Sequence, residues 1–150
     1  MIKPDIMVSQ TVNAPLETLW ESWADFGGIY QFHEDVVRTT ILTQTTPRGV
    51  GAVRRCELVD GKNMIEERVV EWEPMQKISV EFDKTSLPIE RARAEFRFKS
   101  CTETQSQVEM RFAFTPRGLM LRLMKPVMKR KMRTGFAQLL FSNKLYVEGH

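Results

Sequence analysis

Residues 106–140 read SQVEMRFAFTPRGLMLRLMKPVMKRKMRTGFAQLL, and the hydrophobic period changes once along them. Val108, Met110, Phe112 and Phe114 alternate with polar or small residues, the two-residue repeat of a strand with one buried face. After Thr115-Pro116, a pair suited to a helix cap and first turn, Met120, Met124, Met128, Met132, Phe136 and Leu140 recur every four residues. Leu123, Val127 and Leu139 flank this ladder, while Arg122, Lys125, Lys129, Arg130 and Arg133 project to the other side. The pattern predicts an amphipathic helix of about thirty residues, roughly 45 Å long. Pro126 lies inside it without an N–H to donate, so a kink or a division into two helices is expected there.

Upstream of this stretch the period is two. In residues 91–99, RARAEFRFK, the side chains of Ala92, Ala94, Phe96 and Phe98 alternate with Arg91, Arg93, Glu95, Arg97 and Lys99. One face is therefore expected to be buried and the other to lie in water. Strands are predicted over 5–12, 36–44, 51–59, 64–73, 77–83, 90–99 and 106–115. From the second strand onward they are separated by Pro47-Arg48-Gly49, Asp60-Gly61, Glu73-Pro74, Leu87-Pro88 and the polar run 102–105. Between the first two strands, Asn13-Ala14-Pro15 opens a helix carrying Leu16, Leu19, Trp20 and Trp23 at helical spacing. Gly27-Gly28 stops it, and 29–33 form a short second helix or turn. The expected class is α+β: a seven-stranded antiparallel sheet with two short helices after its first strand, covered by the long C-terminal helix. No other predicted element is large enough to cover it.

The 150 residues, 42% hydrophobic and 27% charged, have the size of one domain over 1–150 and exclude collagen-like, disordered and solenoid chains. Cys56 and Cys101 are too few for a disulfide framework, and MIKPDIMVSQ lacks a signal-like apolar run, so a reducing, cytoplasmic location is expected. Every window long enough to span a bilayer is broken by charged or polar residues. Charge is uneven: residues 1–110 carry 13 Lys/Arg against 18 Asp/Glu, and residues 111–150 carry nine against one. Arg122, Lys125, Lys129, Arg130 and Arg133 form either a solvated helix face or a surface for an anionic membrane. Nucleic acid is not expected, because no aromatics are interleaved with these cations.

This order of elements resembles the START-like, or SRPBCC, superfamily, the helix-grip fold of polyketide cyclases, lipid-transfer proteins and birch-allergen-like proteins. NAPLETLWESWADFGGI, residues 13–29, is similar to the family's opening helix, and GVGAVRRCELVDG with IEERVVEWEP, residues 49–61 and 65–74, to its central hairpin. The resemblance covers essentially the whole chain. It implies a sheet curled around the long helix, enclosing a largely apolar cavity open at one end. Family members often place a polar group inside that cavity at the position of the Glu-Arg pair in IEERVV.

Strand parity puts Ile65, Glu67 and Val69 on one face, and Arg54 with Cys56 on one face of the preceding strand. Glu67 either points inward, where it could pair with Arg54 and act as proton donor or ligand anchor, or is shifted by one residue into solvent. With Arg54, Glu67 and Val69, a lining of Ala92, Ala94, Phe96, Met110, Phe112, Met124, Met128 and Phe136 would hold an apolar molecule. The methionines either adapt to a ligand or simply fill the core. His33 precedes Glu34 and Asp35 and is either an acid/base residue or a surface hinge. His150 ends the sequence. Neither a metal site nor a cofactor is called for, and both thiols are expected to be inert. Residues 84–89, KTSLPI, resemble the loop that lids the cavity in ligand-sensing family members, but lack its fuller glycine-containing form. The leading expectation is binding or transport of a lipid, isoprenoid or aromatic polyketide-like molecule. The alternatives are a cyclase or dehydratase using a cavity carboxylate without metal, and a protein-interaction module.

Overall fold

The computed structural model describes residues 3–149, so His150 lies outside it. Strand β1 (Ile6–Val12) leads into helix α1 (Leu16–Ala24) and a 3-10 turn of helix (Phe26–Gln31). The chain then meanders through β2 (Val36–Ile41), β3 (Val53–Leu58), β4 (Met64–Glu73), β5 (Lys77–Thr85), β6 (Ile89–Thr102) and β7 (Gln105–Pro116). These form one curved antiparallel sheet in the order β1-β7-β6-β5-β4-β3-β2, the helix-grip architecture. One expected turn lies elsewhere: Gly27-Gly28 sit within the 3-10 helix rather than ending α1. Leu87-Pro88 do lie between β5 and β6, although β5 runs on past Asp83 through Lys84-Thr85. Asp25 packs close against Gly28, where an added Cβ would lie 2.2 Å from Asp25 Oδ2 and the carboxylate would have to move aside.

The C-terminal helix divides, as its proline implies. Leu119–Leu123 form a short α2, Met124 breaks the run, and α3 spans Lys125–Glu148 with Pro126 in its first turn, where a missing N–H costs nothing. Only the far half of α3 is sealed: Leu139, Leu140, Asn143 and Val147 are buried, while Met128, Met132 and Phe136 are half-buried against the core. Asn143 fastens this half to α1. Its Oδ1 accepts from Trp23 Nε1 at 3.0 Å, and its Nδ2 donates to Ser22 Oγ at 3.0 Å.

The outer face of the sheet departs from simple alternation. Glu95, expected in water, is fully buried; its carboxylate accepts from Arg97 Nε at 3.1 Å, and Ser79 and Arg111 flank it across the neighbouring strands. Long arginine stems lying along the sheet cover a shorter glutamate, so position on the outer face does not guarantee hydration. Asn143→Ala strands the indole N–H of Trp23 in the core and is expected to lower stability by about 1–3 kcal/mol in chemical denaturation.

Candidate functional site

Antiparallel pairing of β3 with β4 sets Arg54 directly opposite Glu67. Both side chains turn toward α3, and Arg54 Nε donates to Glu67 Oε2 at 2.8 Å with the two side chains only 5% and 15% exposed. The guanidinium also donates through Nη1 to the Phe26 carbonyl at 3.1 Å and stacks 4.0 Å over the Phe26 ring. Arg54 is thus held on three sides in a water-poor setting, its Nε and Nη1 donors both engaged. The neighbouring pair Arg55–Glu66 points to the opposite face, which settles the register left open by parity.

Around this pair lies a pocket of about 150 Å³ between the sheet and α3. Ala94, Phe96, Met110 and Phe112 form its floor from β6 and β7, and Met132, Phe136 and Leu139 its roof from α3. Cys56, Leu58, Ile65 and Phe82 join from the other strands. Phe112 is central, with ring centroids 4.8 Å from Phe136 and 6.1 Å from Phe82. A larger recess of about 560 Å³ that includes Asp35, Asp60 and Lys131 adjoins the pocket. Five residues line both spaces: His33, Leu58, Leu87, Met132 and Phe136. Leu87 comes from the turn between β5 and β6 within the stretch that resembles a lid.

Of the residues expected to line a cavity, Arg54, Glu67, Ala94, Phe96, Met110, Phe112 and Phe136 meet at this pocket. Four others are placed elsewhere. Val69 is fully buried in the core opposite Val80. Ala92 faces a groove that begins where β5 and β6 stop pairing, beyond Glu81 and Arg93. Met124 is 47% exposed because the chain breaks there, and Met128 packs on the core without reaching the pocket. The expected cation face is also altered. Arg122 Nη2 pairs with Glu90 at 2.6 Å and Lys125 Nζ with Asp5 at 3.0 Å, whereas Lys129, Arg130 and Arg133 have no ion pair among the described residues.

His33 is the residue whose placement the sequence left open between an acid/base position and a surface hinge. It follows the 3-10 helix, borders both spaces, and accepts at Nδ1 from the Asp35 backbone N–H at 3.3 Å. Burial is the main cause that holds its imidazole below the ordinary value, while the nearby Asp35 and Glu67 carboxylates oppose that shift. Its neutral ring and Nε2 are the only imidazole chemistry that the described residues bring to the pocket. Burial likewise pushes the Cys56 thiol up to about 12, leaving it protonated and inert. Among the described residues, no three His, Cys, Asp or Glu side chains gather as a metal site would require.

A family model described as polyketide cyclase / dehydrase and lipid transport matches residues 3–140, and the chain belongs to that family, within the SRPBCC-type superfamily. No curated protein matches the chain. Among solved structures, the Zhui aromatase/cyclase from a Streptomyces species superimposes with a TM-score of 0.78 at 19% identity, over 95% of this chain and 92% of that one. The protein XoxI from Bacillus cereus gives a TM-score of 0.75 at 15% identity, over 94% and 93% of the two chains. The di-domain ARO/CYC BexL gives 0.77 at 15% identity, over 95% of this chain and 45% of that one. At these identities the likeness is one of fold.

Two outcomes are expected from this geometry. Arg54→Met leaves Glu67 charged and buried without its partner, and should lower stability by about 3–5 kcal/mol in urea denaturation; Arg54→Met combined with Glu67→Leu should recover much of that loss. Because His33 binds its proton less readily in the folded chain, the unfolded chain takes up more protons as pH falls below about 6.5. Stability should therefore drop from pH 7 to 5, and drop less in His33→Phe. Equal slopes for the two proteins would refute this assignment.

Proposed function

We propose that the chain binds or carries a hydrophobic small molecule with one polar end, of lipid, isoprenoid or aromatic polyketide type, in the pocket beneath α3. The observation that carries this reading is a single buried ion pair, Arg54–Glu67, at the wall of a pocket whose other residues are mostly apolar. Apolar burial supplies affinity at about 25 cal/mol per Å², and the two charged groups fix orientation. An inner space of about 150 Å³ takes a body of roughly one aromatic ring, since a cavity of about that size admits benzene. A longer ligand then extends past His33, Leu87, Met132 and Phe136 into the outer recess. Met132 suits a wall that adjusts to what passes it, because its side chain is unbranched and flexible. Val69, Ala92, Met124 and Met128 take no part in holding the ligand. One binding domain over 1–150 in a reducing cytoplasm belongs to the same reading, supported by the free thiols of Cys56 and Cys101. No helix among the described residues is long and apolar enough to cross a membrane.

A second reading, cyclase or dehydratase chemistry, is supported by His33 and Glu67 lining one pocket. A neutral imidazole can take a proton from a carbon next to a carbonyl, and Arg54 can steady the oxygen that gains charge. The family assignment and the aromatase/cyclase likeness are compatible with either reading.

Titration with a fluorescent apolar probe separates the possibilities. Phe112→Asp places a charge at the pocket floor and should abolish uptake while circular dichroism remains unchanged; undiminished uptake would move the site elsewhere. His33→Gln should leave probe affinity within about twofold under carriage, and an activity that vanishes in that variant without loss of binding would establish the enzymatic reading. A wild-type protein that ignores every probe would favour an interaction module.

A further inference from the structure

The four most exposed large apolar side chains among the described residues fall within nine residues: Leu119, Met120, Leu123 and Val127, at 74%, 77%, 76% and 63% exposure. They occupy the corner where α2 meets α3, and Met124 at the break adds to the patch. Soluble surfaces carry single exposed apolar residues freely, but a contiguous group of this kind marks a contact surface. Charge identifies the contact. Between Arg117 and Arg133 the sequence holds seven Lys/Arg and no Asp or Glu. Glu90 and Asp5 neutralise Arg122 and Lys125, which also brace the corner against the sheet. Arg130 and Lys131, three and four residues beyond Val127 on α3 and so next to it on the helix surface, are exposed and have no ion pair among the described residues.

We propose that this corner docks on an anionic lipid surface, with the leucine, methionine and valine side chains entering the headgroup boundary and the cations meeting the phosphates. Exposed apolar residues rimmed by cations on a short helix suit an interface that is apolar below and negative above. A second copy of the chain fits less well, because a two-fold contact through the corner brings like charges together. The docking does not depend on what the inner pocket holds.

Co-sedimentation with vesicles tests it. The wild-type protein should bind phosphatidylcholine vesicles containing phosphatidylglycerol, bind phosphatidylcholine alone weakly, and lose affinity as salt rises. Leu119→Asp with Leu123→Asp, at side chains that touch mainly solvent, should abolish binding with the circular dichroism spectrum intact. Arg130→Glu with Lys131→Glu should weaken it about tenfold or more. No binding to anionic vesicles overturns the proposal, as does binding that survives the leucine changes. A dimer in solution that those changes convert to monomer, without vesicle binding, would assign the corner to a second copy instead.

Discussion

A sheet of seven strands with one apolar face must be covered, and here a single helix performs the cover over only part of its length. The last turns of α3 are locked down by Leu139, Leu140, Asn143 and Val147, with Asn143 bonded to both Trp23 and Ser22 of α1. Toward its start the helix approaches the sheet through Met132 and Phe136, which roof a space instead of closing it. The pocket follows from this unequal contact. Anchoring at one end holds α3 in place while the other end stands over the pocket.

Into that volume the sheet directs two charges. Burying Arg54 and Glu67 would be costly for either alone, and each is tolerated because the other lies 2.8 Å away, with Phe26 supplying a carbonyl and a ring face as well. Hydrophobic substitution would serve stability equally well. In the proposed carriage, this fixed pair at the wall of an apolar pocket orients the polar end of what is bound. His33 brings a third polar group to the same space from a different part of the chain, where inner pocket and outer recess adjoin.

The fold was legible because it rests on period. Alternation in RARAEFRFK and in residues 106–115 gives the sheet, and the four-residue ladder after Pro116 gives the cover, with Pro126 announcing the division into α2 and α3. The central pair was legible by parity, once register placed Arg54 opposite Glu67. Depth along a face was not. Val69 and Glu67 share a face, yet one is core and the other borders the pocket, because parity says which side a residue faces and not what lies above it. Met124 reads as lining in an unbroken helix and becomes surface where the helix breaks. His33 lies in irregular chain, outside any periodic pattern, and only tertiary folding brings it to Glu67. Glu95 fails for the opposite reason: its position on the outer face was read correctly, but the arginines around it exclude water.

Native mass spectrometry of the protein purified from its own cells, repeated on the denatured sample to identify what is released, tests carriage most directly. Carriage predicts a stoichiometric extra mass that disappears on denaturation and belongs to an apolar molecule with one polar end. A bare polypeptide mass, from a protein that also ignores hydrophobic probes, would contradict it.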